Sequence, residues 1–537
     1  MLRGSVPSIQ SSAQHTFARA PQAGIPRSKF NRSHGVKTTF DEGYLVPVLV
    51  DEMLPGDTFS LKMHAFARMA TPIYPIMDNL YLESFFFSVP YRLVWTHWEQ
   101  FNGANIPDTN STTDYTIPQC SAPAMGGVAT GDLQDYMGIP IKVNSLTFNN
   151  LHMRAYNLIW NDWFRDQNLQ NQVTVDTGDG PDTYTNYVLL QRGKRHDYFT
   201  SCLPFPQKGP DVEIPLGTSA PVYADALATP GQSRFLIGGV GTPYTSNGTI
   251  YTQATTGITL GSDNSTTIIY DPENSLYADL STATAATINA LRLAWQTQKL
   301  YERDARGGTR YTEIIKSHFG VISPDMRLQR PEYLGGGSTP VVINPVAQTA
   351  QTTSPTNTDV LGNLAAYGVC APQGHGFTYS ATEHCLIIGL VSVRADINYQ
   401  QGLERMWSRQ TRLDYYWPAL SHIGEQVVLN QEIYAQGNSD DTEVFGYQER
   451  FAEYRYKPSQ ITGLFRSTAT SPLDAWHLAQ KFTSLPTLGS TFIVENAPMS
   501  RIEAVSSQPD FLFDCFFSYH CARPMPVYAI PGLVDHF

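Results

Sequence analysis

The sequence lacks most of the features that would assign it a chemistry. Charged side chains make up only 16% of its 537 residues. Its six cysteines, Cys120, Cys202, Cys370, Cys385, Cys515 and Cys521, are scattered, and no two form a C-x-x-C pair. That spacing suits reduced thiols better than a disulfide scaffold. No run reaches the roughly 18 consecutive apolar residues of a membrane-spanning helix. Met1–Gln10 has no apolar h-region, so a soluble protein outside the secretory route is expected. No internal repeat of fixed period is present.

Catalytic signatures are missing as well. Gly335-Gly336-Gly337-Ser338 is followed by Thr339-Pro340 rather than by the lysine of a phosphate loop, and reads as a flexible turn. Glu383-His384-Cys385 alternates across a strand, so the three side chains do not converge on one ion. His520 between Cys515 and Cys521 has the wrong spacing for a zinc knuckle. Asp440, Asp441 and Glu443 lack the Asp-x-Asp-x-Asp-Gly frame and read as a solvated turn. No Gly-x-Ser-x-Gly elbow occurs. A carboxylate pair for glycoside hydrolysis is defined in space and is not legible in sequence. No metal site and no cofactor are expected; a calcium ion held by carbonyls and carboxylates is the one kind that leaves no sequence trace. Not an enzyme, then, is the expectation.

What is present is an uneven charge. Residues 1–40 hold Arg3, Arg19, Arg27, Lys29, Arg32 and Lys37 and no Asp or Glu. The remaining chain carries thirty basic and forty-eight acidic residues, near −18. An arm that meets polyanions, joined to a body that does not, is the expectation. The arm is polar and Pro-interrupted, and order is expected to begin near Phe40.

Strand patterns dominate the body. Tyr44–Val50 is apolar and β-branched; Leu54-Pro55-Gly56-Asp57 turns into the alternating Thr58–Met63. Phe85-Phe86-Phe87 is a short apolar run, and Leu386–Val393 reads as a strand buried on both faces. Phe511, Phe513, Cys515 and Phe517 fall on one face of a last strand. Three helices are expected. Ser145 would cap one carrying Phe148, Leu151, Ala155 and Leu158. Thr287 would cap a second, with Ile288, Leu291, Ala294 and Trp295 inward and Gly307-Gly308 as its stop. Leu473–Phe482 would be the third. The fold class expected is mainly β with helix-bearing insertions. Residues 215–285 are rich in Thr, Ser, Gly, Asn and Ala, hold Arg234 as their one basic residue, and read as a long surface excursion. A similar tract covers residues 346–363.

Aromatic clusters need an occupant. Trp95, Trp98 and Phe101 fit one face of a short helix closed by Gly103, and Tyr415-Tyr416-Trp417-Pro418 suits a loop. Packing in a core or between subunits outweighs stacking on bases beside Arg409 and Arg412.

Several segments then become specific. Phe30-Asn31-Arg32-Ser33-His34 and Lys37–Asp41 open the series, followed by Val50–Phe59 and Thr71–Leu80. Pro331–Ser338, Asn398–Leu403, Phe445–Arg450 and Glu453–Pro458 come next, then Arg523–Pro526 and Pro531–Phe537. Their sequence and order resemble the major capsid proteins of the Microviridae, in the gokushovirus branch of small single-stranded DNA phages. The match fails mainly in 215–285. The resemblance implies an eight-stranded antiparallel jelly roll of viral coat type over residues 41–537, assembling through pentamers into a T=1 shell of sixty copies. It implies an inward arm over 1–40 in which Arg27, Lys29, Arg32, His34 and Lys37 meet a circular single-stranded DNA genome. It further implies a small basic internal packaging protein, a scaffolding protein, a pilot protein and an unidentified host receptor as partners, with assembly in the bacterial cytoplasm. Trp95, Trp98, Tyr415, Tyr416 and Trp417 become candidate inter-subunit contacts. Residues 215–285, with Tyr244, Tyr251 and Tyr270, become a candidate threefold protrusion for attachment. A β-rich carbohydrate-active enzyme or lectin and a phage tail or spike component are the competing readings.

Overall fold

The computed structural model describes residues 26–528, apart from 104–114, 309, 321, 323–328 and six positions within 351–360. Between 211 and 287 it describes only residue 212 and six short strands. The chain divides into two units, residues 1–206 with 307–537, and residues 207–306.

The frame of the larger unit is carried by β1 (Ser28–Asn31), β2 (His34–Phe40), β3 (Val46–Met53), β4 (Thr58–Met69), β5 (Leu80–Pro90), β6 (Glu332–Pro340), β7 (Val342–Ala347), β8 (Leu364–Cys370), β9 (Gln373–Ser380), β10 (Cys385–Ala395) and β11 (Phe511–Arg523). A seven-stranded antiparallel sheet is built on β11 and β4. β1 and β2 pair with the far edge of β11, β8 and β9 pair with β4, and β7 pairs with β8. A four-stranded antiparallel sheet runs β6-β5-β10-β3.

Strict alternation explains why the first sheet has one dry face. β4 turns Phe59, Leu61, Met63, Ala67 and Met69 inward, and β11 turns Phe511, Phe513, Cys515, Phe517, Tyr519 and Cys521 inward. They pack on Val46, Phe86, Ile387, Val391 and Val393 of the second sheet. The second sheet is apolar on its other face too. Phe87, Val89, Leu386, Ile388 and Leu390 meet a helix, α1 (Leu151–Ile159), through Leu151, Ala155, Tyr156 and Ile159. β10 is therefore buried on both faces, as its unbroken apolar run requires. A third cluster, with Phe199, Val428, Phe445 and Phe492, holds the long segment between β10 and β11.

Several expectations are corrected. Order begins by Ser28, not near Phe40, because β1 and β2 find partners on β11 nearly 500 residues away. Ser145 caps nothing: it has a left-handed backbone (φ 51°), and Thr147–Asn149 is a strand carrying Phe148, so the helix starts at Leu151 behind Asn150. Leu473–Phe482 holds a single 3-10 turn, Asp474–Trp476, because the following backbone is captured elsewhere: Leu478 N–H donates to Asp78. Gly335–Gly337 lies in strand β6, not in a turn. A Cβ at Gly336 would sit 2.0 Å from the Ser84 carbonyl oxygen and one at Gly337 2.5 Å from the His375 ring, so only glycine allows this pairing. Asp441 is not solvated but buried, accepting from the Gln436 and Gly437 N–H groups.

The smaller unit contains a four-stranded sheet ordered Ile250–Gln253, Gly257–Leu260, Thr266–Tyr270, Phe235–Ile237, and a pair formed by Val222–Ala224 and Leu276–Ala278. A helix, α2 (Ile288–Arg306), follows, ending just before Gly307-Gly308. Leu291 and Trp295, expected inward, are exposed; Thr287 lies outside the described residues.

Candidate genome-facing and assembly surfaces

The basic arm is drawn into the seven-stranded sheet, and that decides which of its cations are available. Arg32 turns to the β3 edge and forms a two-pronged ion pair with Asp51 at 2.5 and 2.9 Å, its guanidinium lying over the Tyr519 ring. Tyr519 itself donates to Asp51 at 2.6 Å. Arg27 donates to the Gly56 carbonyl and, at 3.2 Å, to the Thr58 hydroxyl. His34 packs its ring 5.4 Å from that of Phe517. Three of the five expected DNA contacts thus serve the subunit's own edge. Lys29 and Lys37 point the other way, onto the exposed face, where Lys37 meets Asp514 at 3.0 Å.

That exposed face also carries residues the sequence reading passed over. β4 presents Lys62, His64, Phe66 and Arg68; β11 presents Leu512, Asp514, Phe516 and His520. Phe66 and Phe516 are each 51% exposed. The signal was available: the alternation seen over Thr58–Met63 continues to Met69 and names the outward set.

The aromatic candidates separate. Trp95 is fully buried in the chain's own core, donating its indole N–H to Asp179 at 2.8 Å; it is not an inter-subunit contact. Trp98 is half-buried and stacks on Tyr91 at 4.2 Å. Tyr415, Tyr416 and Trp417 are exposed, held by Arg409 and Arg412 guanidiniums at 5.3 and 4.5 Å from the Tyr415 and Trp417 rings. Trp407, Tyr454 and Tyr456, which the sequence reading missed, are also exposed and border a cleft of about 340 Å³ floored by Tyr198 and Phe199. Two ion pairs within the chain line it, Arg405 with Glu432 at 2.9 Å and Arg409 with Glu453 at 3.3 Å. Tyr244 lies outside the described residues. Tyr251 and Tyr270 lie in the strands Ile250–Gln253 and Thr266–Tyr270.

Carboxyl groups gather where the two sheets meet. Glu495 accepts from the Ala395 N–H at the end of β10, and Glu42 accepts from Ala497 N–H. Burial, then the neighbouring Glu495, raises the Glu42 carboxyl well above its ordinary range; burial also raises Glu495. Burial and the adjacent Asp510 push Glu503 up to about 8. Two close carboxylates resist ionising together out of water, and Glu503 holds its proton at neutral pH. Among the described residues, no three His, Cys, Asp or Glu side chains are arranged to hold a metal ion.

These features describe binding and packing surfaces. Comparison with known proteins agrees. The family described as "Capsid protein (F protein)" matches residues 18–533. Capsid protein VP1 of Bdellovibrio phage phiMH2K is 49% identical over 535 residues, covering 98% of each chain. Capsid protein VP1 of Chlamydia phage 1 is 44% identical over 594 residues, again 98% of each, and that of Spiroplasma virus 4 is 37% identical over 548 residues, 97% of each. The two-sheet frame, the surfaces turned outward and similarity along the whole chain lead to one conclusion: the chain belongs to the F-protein family of phage capsid proteins, in the gokushovirus branch of the Microviridae, a family of structural subunits and not of enzymes.

Proposed function

We propose that the chain is the shell subunit of a T=1 particle of sixty copies, reached through pentamers, enclosing circular single-stranded DNA. The observation that carries this is end-to-end similarity to capsid proteins, with 98% of both chains aligned. The strand order supports an eight-stranded jelly roll: β1/β2, β11, β4 and β8/β9 in one sheet face β3, β10, β5 and β6 in the other. The two long segments, between β5 and β6 and between β10 and β11, then carry what differs from a bare barrel. Residues 215–285, inside the separate 207–306 unit, are assigned to an outward threefold protrusion for host attachment. The exposed Tyr415–Trp417 loop is assigned to contacts between subunits, which suits aromatic anchors at an interface. A scaffolding protein, a pilot protein and a small basic packaging protein complete the particle, built in the host cytoplasm.

Co-expression with the phage's scaffolding protein, followed by sedimentation and negative-stain microscopy, tests this. Pentamers or small uniform closed shells are expected; only monomers or trimers would overturn it. A tag inserted at Asn247-Gly248 should label intact shells from outside, and labelling only after disruption would remove the protrusion assignment.

A further inference from the structure

We propose that the exposed face of the seven-stranded sheet is a sequence-independent platform for single-stranded DNA, with Phe66 and Phe516 stacking on bases and Lys29, Lys37, Lys62 and Arg68 meeting phosphates. The proposal rests on the capsid reading and names where in the subunit the genome lies.

Charge is the first argument. The outward positions of β1, β2, β4 and β11 hold these four cations with His64 and His520, against Asp514 as the one carboxylate among them. The outward positions of β7, β8 and β9 add no charge among the described residues. The whole chain is at −12, so this face is opposite in sign to the molecule that bears it. A local excess of cations on an acidic body suits a polyanion, and two copies of this face set against each other would repel.

Geometry is the second. The β4–β11 register sets His64 opposite Phe516 and Phe66 opposite Asp514, while Arg68 faces Leu512. Lys37 lies beyond Asp514 in the same row. Rings and cations therefore interleave on adjacent strands about 5 Å apart, with side chains along each strand about 7 Å apart. Phe66 and Phe516 are each half exposed on a sheet whose opposite face is dry, so no packing demand of the subunit explains them. Every base offers a π-face, and a guanidinium or ammonium meets a phosphate without reading sequence; the combination binds single strands with little sequence preference.

The test uses the full-length, soluble subunit and fluorescein-labelled oligo(dT), read by anisotropy across a salt series. Lys62→Ala/Arg68→Ala should weaken binding about tenfold at low salt and reduce the slope of log affinity against log salt by about 1.4, two phosphate contacts at about 0.7 each for single strands. Phe66→Leu/Phe516→Leu should weaken binding at least fivefold and leave that slope unchanged. Lys299→Ala/Lys316→Ala, equal in charge, exposed and outside this sheet, should bind like the parent. Far-UV circular dichroism and melting should match the parent throughout, since all substituted positions are exposed or half-exposed. Parental affinity in both sheet variants overturns the proposal. So does loss of pentamers in the sheet variants with oligo(dT) affinity retained, which would give the face to a neighbouring subunit. Shell assembly is scored separately by microscopy: shells without sheet-dependent binding sink this inference alone, and sheet-dependent binding without shells sinks the capsid assembly reading alone.

Discussion

The two sheets of the frame are built from the same alternating grammar and end in opposite situations. β10, at the centre of the four-stranded sheet, is covered on both faces, by the first sheet and by α1. β11 and β4, at the centre of the seven-stranded sheet, are dry on one face and bare on the other. An antiparallel sheet with one wet face is ordinary when that face is polar. Here the wet face carries rings and cations, so it is not finished within the subunit. One sheet is completed by its own insertion, the other by something added in the particle.

The largest expected effect lies in the cover. Arg154 on α1 and Asp182 are both fully out of water and joined at 2.6 and 2.7 Å, and Arg154 also donates to the Val94 carbonyl. Burial raises the cost of any uncompensated charge, so Arg154→Leu should destabilise the fold by about 3–5 kcal/mol, because it leaves Asp182 with the Asn150 and Tyr187 hydrogen bonds but no counter-charge. Chemical denaturation with tryptophan fluorescence measures it, since Trp95 and Trp160 sit in the same cluster. A loss under about 1 kcal/mol would mean that the cover is loosely held and that the two sheets differ less than their burial indicates.

How legible this contrast was in the sequence depended on where partners lay. The run Leu386–Val393 shows two buried faces directly, because no polar residue but Ser392 interrupts it. The alternation of 58–69 and 511–523 likewise shows one. The arm was misread because its pairing is non-local: Lys37 sits opposite Asp514, and nothing near Lys37 announces that. The Arg32–Asp51 pair was hidden for the same reason, Asp51 being on another sheet. Deleting residues 1–40 would therefore remove two strands as well as charge, and point substitutions are the cleaner probe. Trp95 was misassigned because helical spacing shows that rings share a face, not whether that face meets the subunit's own core or a neighbour.

A middle-sized effect is expected at the junction. Glu503 is held protonated up to about 8, first by burial and then by Asp510. A carboxyl raised in the folded state contributes its full stability below the ordinary glutamate value and loses it as pH rises through the folded one. Glu42 and Glu495, both raised, act in the same direction. Melting temperature should therefore fall between pH 5 and pH 8.5, and Glu503→Gln should flatten part of that decline. A parental pH profile in the variant would show that this pair does not tie the sheets together.

The smallest effect on stability is expected on the bare face. Lys37 and Asp514 are joined at 3.0 Å, with their side chains 79% and 54% exposed. Such a pair sits in high dielectric and is screened by salt, so Lys37→Ala should cost at most about 1 kcal/mol, and less at high salt. The same substitution removes one proposed phosphate contact and leaves Asp514 without its cation, so oligo(dT) binding should weaken by more than the stability change implies. The salt slope should fall by about 0.7. A residue whose removal hardly moves the melting curve yet moves the binding curve marks a face reserved for a partner. If both curves stay with the parent, Lys37 belongs to a solvated edge, and the unfinished face narrows to β4 and β11.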